Sequence, residues 1–285
     1  MIAVTGATGE LGKRVLESLR KTHPASSLVA LARDPSKAAD LSGQGIIVQK
    51  ADYNDQESYE KALQDVEKLL LISSNDIGNR TAQHERVIRA AEKAGVRLIV
   101  YTSILKADTS PMALATEHQE TESLLAASPL NCVVLRNGWY NENYTGTIAG
   151  AVAQGAVAGA SGEGRISAAS RRDYADAAAA VLTSTEDLSG RIFELGGDAA
   201  ITGPSLAAEI ARHAGCAVSY THLSQTDYEN VLTDVGVPAG FATLLADADA
   251  HAANDALFDG SKTLSGLIGR PTTPIGQTIA ETLAG

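Results

Sequence analysis

The sequence predicts an α/β fold: a doubly wound parallel sheet with a smaller, mostly helical C-terminal lobe. Apolar runs of strand length alternate with amphipathic helical segments through the first half of the 285-residue chain. Several of these runs are apolar on consecutive residues, which is typical of strands buried on both faces of a parallel sheet. After about residue 145 small residues dominate and the alternation stops. We expect a first domain at 1–145 and a smaller α/β lobe at 146–285, and leave open whether part of that lobe returns to the main sheet.

The elements of the first half follow one another with short connections, which favours right-handed crossovers. The predicted strands are Ile2–Thr5, Leu28–Ala32, Ile46–Val48, Leu69–Ile72, Leu98–Tyr101 and Cys132–Leu135. The predicted helix faces are Leu11-Val15-Leu19, Tyr59-Leu63-Val66 and Val87-Ala90-Ala94. In the second half, only short strands are expected, near Ile192–Leu195 and Val218–His222.

Composition and charge exclude several classes of protein. A formal charge of −11 argues against a nucleic-acid partner, because few basic residues are available to neutralise phosphates. Cys132 and Cys216 lie far apart without CxxC spacing, so we expect buried free thiols and no metal site. The chain begins in a strand, and no apolar stretch approaches the ~18 residues of a membrane span. We therefore expect a cytoplasmic protein that does not enter a membrane.

A glycine-rich segment, Val4-Thr5-Gly6-Ala7-Thr8-Gly9-Glu10-Leu11-Gly12, directly follows the first strand and opens the first helix. In this context the first glycine permits a tight turn, the second lets a pyrophosphate approach, and the third lets helix and strand pack closely. The segment predicts a Rossmann-type dinucleotide site. Its candidate cofactor residues are Gly6, Thr8, Gly9, Glu10, Leu11 and Gly12.

The end of the second strand distinguishes the two nicotinamide cofactors. Arg33 is the first residue after that strand, where an arginine suits the 2′-phosphate of NADPH. The alternative places Asp34 on the ribose hydroxyls of NADH. Pro35 makes this less natural, because Asp34 then has the position of a helix N-cap with proline at N1. We therefore expect NADPH.

Small polar residues follow the later strands as well. Ligands of parallel sheets bind at the carboxyl ends of the strands, so these residues are expected to line the same crevice, although a Ser or Thr at a strand end often only caps a loop. The further candidates for cofactor binding are Asp52, Tyr53, Ser73, Ser74, Thr102, Ser103, Asn137 and Gly138.

Several of these motifs together resemble the NmrA-like, atypical branch of the short-chain dehydrogenase/reductase superfamily. The resemblance spans essentially the whole chain and is most specific at VTGATGELG, LISS, YTS and LRNGWYNENY. It implies NADPH-dependent reduction of quinones or of cationic triphenylmethane dyes such as malachite green and crystal violet. Within the branch the similarity is expected to be greatest to the dye reductases.

Ordinary members of the superfamily use a Tyr-x-x-x-Lys pair for proton transfer. None of the eight tyrosines has a lysine four residues later. His118 lies in the matching region and is a conceivable substitute acid, but a solvated histidine in a first helical turn is the commoner case. We therefore predict no catalytic acid or base. Hydride would go to the central carbon of a dye cation, or to a quinone that later takes its proton from water, with catalysis by positioning.

The acceptor pocket is expected after the fifth and sixth strands. Aromatic faces suit a flat cation or quinone, although a single buried aromatic residue is about as often core packing. The candidate substrate-binding residues are Ile104, Leu105, Trp139, Tyr140, Tyr144 and Phe241.

The second class of function that the sequence leaves open is a regulatory protein that binds NAD(P) without turnover. Absence of the Tyr/Lys pair fits both classes, whereas the aromatic segment at 139–144 favours an enzyme. An epimerase or dehydratase is disfavoured because those reactions need acid–base residues. The sequence also leaves a homodimer open.

Overall fold

The computed structural model describes residues 1–284. The chain forms two compact units that are interleaved along the sequence. The first unit comprises Met1–Ile104, Glu117–Asn137 and Arg171–Phe193. The second comprises Leu105–Thr116, Gly138–Ser170 and the chain from Glu194 onward. The predicted division into domains at residue 145 stays a prediction.

A seven-stranded parallel sheet dominates the fold, in the order β3-β2-β1-β4-β5-β6-β8. Val4 pairs with Ala30 on one side and with Leu70 on the other, so the strand order reverses at β1. Such a reversal is the point at which doubly wound sheets bind ligands. The strands are β1 Ile2–Val4, β2 Leu28–Ala32, β3 Ile47–Lys50, β4 Lys68–Leu71, β5 Leu98–Ile104, β6 Asn131–Asn137, β7 Ala156–Gly159, β8 Ile192–Leu195 and β9 Ser219–His222.

All six strands expected in the first half are present within a few residues of their predicted bounds, and the predicted α/β class is confirmed. β8 joins the main sheet beside β6. The helices are α1 Glu10–Leu19, α2 Ala39–Gly43, α3 Gln56–Ala62, α4 Arg80–Ala94, α5 Ala115–Ala127, α6 Glu142–Gln154, α7 Arg171–Thr183, α8 Gly203–Ala214, α9 Gln225–Asp234, α10 Ala239–Ala252, α11 Thr263–Ile268 and α12 Ile275–Ala284.

The core of the first unit lies between the sheet and its helices. α1 buries Val15, Leu16 and Leu19 completely, because these residues recur on one face of the helix. α4 ends at Gly95, whose φ of 73° is left-handed, a conformation that glycine adopts without strain at a helix C-terminus. The packing of α1 holds this helix against β1 and β2.

The second unit contains a two-stranded parallel sheet of β7 and β9, in which Ala156 pairs with Ser219. β9 was expected, whereas β7 was not, because Ala156–Gly159 has little β-propensity. Both cysteines are free, but Cys132 is only half-buried and Cys216 is exposed. The expectation of buried thiols is therefore wrong for Cys216 and holds only in part for Cys132. Among residues 1–284, no helix combines the length and apolar character needed to cross a membrane.

Candidate cofactor and acceptor site

A glycine turn joins β1 to α1. Gly6 has a φ of 57°, a left-handed conformation that suits glycine, and Gly9 N donates to Gly6 O at 2.9 Å. A Cβ on Gly12 would lie 2.4 Å from Gly6 O and 2.9 Å from the Cα of Ala7, so no larger residue fits there. The turn therefore brings the first amides of α1 close to the end of β1, in the arrangement that binds a pyrophosphate.

A cleft of about 490 Å³ opens at the carboxyl ends of β1 to β4 in the first unit. These strands lie on both sides of the reversal in strand order. Most lining residues end or follow these four neighbouring strands, whereas Tyr59 lies in α3 and Gln83 in α4. The lining residues are Gly6, Thr8, Leu31, Ala32, Arg33, Asp34, Lys37, Ala51, Asp52, Tyr53, Asn54, Tyr59, Ser74, Asn75, Asp76 and Gln83.

Two cations flank a carboxylate at the edge of this cleft. Arg33 and Lys37 are exposed, and neither side chain has a hydrogen bond or ion pair with any residue in 1–284. The carboxylate of Asp34 accepts from Ser36 N at 3.0 Å and from Ser36 Oγ at 2.7 Å, and these bonds lower the pKa of Asp34. As expected from Pro35, Asp34 caps the 3₁₀ turn Pro35–Ala38. The edge therefore fits a 2′-phosphate better than a ribose diol.

The chain after β4 forms hydrogen bonds with Thr5 after β1, Tyr53 after β3 and Thr102 in β5. Ile72 N donates to Thr5 Oγ1 at 2.8 Å, and Tyr53 Oη donates to Ile72 O at 2.6 Å. Ser73 N donates to Thr102 Oγ1 at 3.0 Å. Burial raises the pKa of Tyr53 to about 12, so it remains a phenol and a donor. Hydrogen bonds within the protein therefore hold Ile72 and Ser73, which lead to the cleft residue Ser74.

The predicted cofactor residues fall into three groups. Six line the cleft: Gly6, Thr8, Arg33, Asp52, Tyr53 and Ser74. Six others lie in the first unit but do not line it: Gly9 and Gly12 in the turn, Glu10 and Leu11 in α1, Ser73 after β4 and Thr102 in β5. Their direct contacts with a cofactor stay predictions.

The remaining three lie at the ends of β5 and β6. Ser103 Oγ donates to Glu122 Oε1 at 2.5 Å, which commits its proton. Asn137 Oδ1 is buried and has no hydrogen-bond partner in the part of the chain that the structure describes. An orphaned acceptor of this kind suits a polar ligand group. Gly138 belongs to the second unit.

His118 is not solvated, so that expectation is wrong. It is 6% exposed, and its Nδ1 lies 2.7 Å from Tyr101 Oη. Burial is the main cause that lowers the pKa of His118 well below its usual value, with Arg80 and His84 adding to it. The His118 ring packs against Tyr101 of β5. The amphipathic pattern of α5 is too weak to show from sequence which face of the helix is buried.

A buried ion pair joins α5 to the end of β6. Arg136 Nε donates to Glu122 Oε1 at 3.0 Å, and its NH2 donates to Glu122 Oε2 at 2.7 Å. The arginine side chain is only 5% exposed. Together with Ser103, this pair fixes the carboxyl ends of two neighbouring strands.

The predicted acceptor residues are divided between the two units. Ile104 ends β5 in the first unit and is buried, whereas Leu105 is buried in the second. Trp139 O accepts from Ala169 N at 3.0 Å, and Tyr140 forms a parallel bridge with Ala169. The backbone of this aromatic segment is therefore anchored.

Tyr144 and Phe241 lie on helices of the second unit. The Oη of Tyr144 is buried without a hydrogen-bond partner among residues 1–284, and burial raises its pKa well above the usual value. Phe241 is 49% exposed. A cavity of about 780 Å³ in this unit, lined by Tyr220, His222 and the loop 161–165 among others, contains none of the predicted acceptor residues. Their role stays a prediction.

Several cleft residues were not anticipated. Lys37 could have been found, because a 3₁₀ turn capped by Asp34 places the residue three positions later near its cap. Asn54 directly follows Tyr53 and shares its loop. Gln83 gave no signal, because its contact depends on how α4 packs against the chain after β4.

Comparison with known proteins agrees with this geometry. A family model described as NAD(P)H-binding matches residues 6–185. Quinone oxidoreductase 2 of Escherichia coli (strain K12) is 51% identical over 280 residues, which cover 98% of each chain. The crystal structure of the NADPH-dependent quinone oxidoreductase of E. coli complexed with NADPH superposes with a TM-score of 0.97, covering 99% of this chain and 100% of that one.

Two further structures show where the similarity weakens. Citrobacter sp. triphenylmethane reductase complexed with NADP(H) is 34% identical, with a TM-score of 0.94 over 99% of this chain and 100% of that one. The expectation of greater similarity to a dye reductase than to a quinone reductase is therefore wrong in sequence identity. NmrA, a negative transcriptional regulator in complex with NAD, is 12% identical with a TM-score of 0.78, covering 98% and 94% of the two chains. This last likeness shows the fold alone.

Proposed function

This chain belongs to the NAD(P)H-binding family, and from that membership we propose that it is an NADPH-dependent oxidoreductase that reduces quinones. The observation that carries the proposal is 51% identity, over 98% of both chains, to the E. coli quinone oxidoreductase. The cleft supports it, because Arg33 and Lys37 present two cations where the 2′-phosphate of NADPH would lie. The absence of a side chain at Gly12 lets α1 pack closely on the turn, which places the first amides of the helix where a pyrophosphate would bind.

The residues of the chain would bind and orient the reactants. The amides at the start of α1 would hold the pyrophosphate, and the wall formed by Tyr53, Ile72 and Ser74 would hold the nucleoside. NADPH, when bound, supplies a hydride. A quinone that accepts a hydride becomes a hydroquinone anion of moderate basicity and takes its proton from water.

No described group has to donate that proton. Tyr101 is buried against His118, and burial raises the pKa of Tyr101 above its usual range. The proton of Ser103 is committed to Glu122. The same positioning would serve a triphenylmethane cation, which hydride neutralises directly at its central carbon. The 34% identity to the Citrobacter enzyme makes these dyes our second candidate acceptors.

One steady-state experiment tests both acceptors. The purified protein is mixed with NADPH and a small water-soluble benzoquinone, and cofactor absorbance is followed; malachite green replaces the quinone in a parallel series. We expect one NADPH oxidised per quinone and a higher kcat/KM for quinone than for dye. Tight NADPH binding with no turnover of either acceptor would contradict the enzyme and favour a regulatory protein that binds the dinucleotide.

The variant Trp139→Ala tests whether the aromatic segment 139–144 binds the acceptor and not the cofactor. If the aromatic segment binds the acceptor, this variant should raise KM for the quinone several-fold, because one stacking face is lost. KM for NADPH should remain unchanged. Phe258→Ala, which removes an aromatic ring beside Arg165, is the matched control and should change neither constant. An equal effect of both variants would contradict a specific role for the segment.

A further inference from the structure

Three side chains on one face of α4 form hydrogen bonds with Ser74, a residue that lines the cofactor cleft. Arg80, Gln83 and His84 have the i, i+3, i+4 spacing that puts side chains on one helix face, and they are 6%, 3% and 0% exposed. All three bind Ser74. Arg80 Nε donates to Ser74 O at 2.7 Å, and Ser74 Oγ donates to Gln83 Oε1. Ser74 N donates to His84 Nε2 at 2.9 Å.

The last of these bonds determines the tautomer of His84. A backbone N–H can only donate, so Nε2 must be the unprotonated nitrogen, and the proton of the neutral ring is on Nδ1. Nδ1 lies 2.9 Å from Thr121 Oγ1, and Thr121 Oγ1 itself donates to Glu117 O at 2.8 Å. Burial of the ring and the nearby Arg80 cation lower the pKa of His84 to about 3. The ring is therefore neutral near neutral pH.

Thr121 is thus the acceptor that keeps the proton on Nδ1. It lies on α5, is completely buried, and does not line the cleft. If its hydroxyl were absent, the proton would either stay on Nδ1 without a partner or move to Nε2, where it would oppose the N–H of Ser74. Either change weakens the bond that holds the segment 72–79, called here the β4–α4 loop.

We propose that Thr121 fixes the tautomer of His84, and that this tautomer holds the β4–α4 loop in the conformation that binds NADPH. His84 and Thr121 are positioning residues. The inference rests on the proposed NADPH site and adds two residues that do not line it. Its physical basis is preorganisation, since a loop ordered before binding loses less entropy when the cofactor binds.

The test measures the dissociation constant for NADPH by fluorescence titration, without a quinone. Thr121→Val removes the acceptor at nearly constant volume and should raise the dissociation constant about tenfold. Thr121→Ser keeps a hydroxyl and should restore binding to within about twofold. His84→Gln keeps an acceptor for Ser74 N and should weaken binding less than His84→Leu does.

A double-mutant cycle separates this mechanism from general loosening of α4 against α5. Thr121→Val should have no further effect in the His84→Gln background, because no tautomer remains to be fixed. Thr81→Ala removes the 2.6 Å hydrogen bond from Thr81 to Glu120 between the same helices and is the matched control. Nitrogen-15 NMR of the wild type should show His84 protonated on Nδ1.

Each alternative result has a definite meaning. Unchanged NADPH binding by Thr121→Val, additive effects in the double variant, or an equal effect of Thr81→Ala would overturn the inference. So would an NMR signal of His84 protonated on Nε2. Failure of the wild type to bind NADPH would instead contradict the proposed function, so the two failures are distinguishable.

Discussion

Arg33, Asp34 and Lys37 determine the cofactor preference that we propose. Asp34 would oppose a phosphate if its carboxylate faced the cleft without a partner. Its two bonds to Ser36 make it a helix cap instead, and this leaves two cations beside it. Selectivity between NADPH and NADH at this edge therefore depends on a capping interaction as much as on the arginine.

Arg33→Ala should weaken NADPH binding by roughly tenfold to a hundredfold, as expected for loss of hydrogen bonds to a charged group. NADH binding should change by less than about twofold, because NADH lacks the 2′-phosphate. Titration with each cofactor measures this. Lys50→Ala removes an exposed cation that does not line the cleft and is the control. Equal losses for the two cofactors would contradict the assignment of Arg33.

The sequence was informative at this scale where a residue's role is local. Pro35 predicted that Asp34 caps a turn, since proline at N1 restricts the conformation around it. His118 was misjudged because its burial depends on how α5 packs on β5, which its own sequence does not encode clearly. Gln83 and His84 were missed for the same reason, since they contact a residue at the end of a different element.

At the scale of elements, the turn between β1 and α1 has no room for a side chain at Gly12. Gly12 faces backbone atoms of Gly6 and Ala7, and backbone atoms cannot rotate away as a side chain can. A methyl group at this position has to displace α1 from β1. The glycine therefore couples the packing of a helix to the geometry of the cofactor turn.

Gly12→Ala should lower the free energy of unfolding by about 1–3 kcal/mol, as overpacking does, and should abolish measurable NADPH binding. Urea denaturation and cofactor titration measure the two effects. Gly266→Ala is the control, because apart from the backbone of α11 itself no atom of residues 1–284 lies within 4 Å of the added Cβ; we expect it to be neutral or to stabilise by up to about 1 kcal/mol. Normal binding by Gly12→Ala would show that the turn adapts.

Most elements of the first half were predictable, because strands buried on both faces carry unbroken apolar runs such as Leu28–Ala32. The limits of this approach appear at β7, where Ala156–Gly159 forms a strand without a β-branched majority. Its pairing with β9 depends on residues about sixty positions away. The place of β8 beside β6 likewise could not be derived from local pattern.

At the scale of the whole chain, two buried histidines make stability depend on pH. His84 and His118 stay neutral in the folded state because burial lowers their pKa values, whereas the unfolded chain takes up a proton at each near pH 6.5. Stability from these residues is thus fully present above about pH 6.5 and is lost as the pH falls toward their folded pKa values, about 3 for His84.

For each histidine, the free energy of unfolding should fall by about 1.4 kcal/mol when the pH is reduced from about 7.5 to about 5.5, because only the unfolded chain binds the proton. Urea denaturation at the two pH values measures the loss. Over this pH range, the free energy of unfolding of the His84→Gln variant should fall by about 1.4 kcal/mol less than that of the wild type. This holds whatever the stability of the variant is at neutral pH. An unchanged pH dependence would mean that His84 becomes protonated in the folded protein.

The strand order also has a consequence for the chain during its synthesis. β8 begins at Ile192, whereas its neighbour β6 ends at Asn137, a separation of 192 − 137 = 55 residues. At translation rates of about 5–20 residues per second, β8 is synthesised roughly 3–11 seconds after β6, and the outer edge of β6 is unpaired until then. During this interval its backbone amides can pair with a strand of another nascent chain. The delay between the synthesis of β6 and that of β8 is thus an interval in which this sheet edge is open to aggregation.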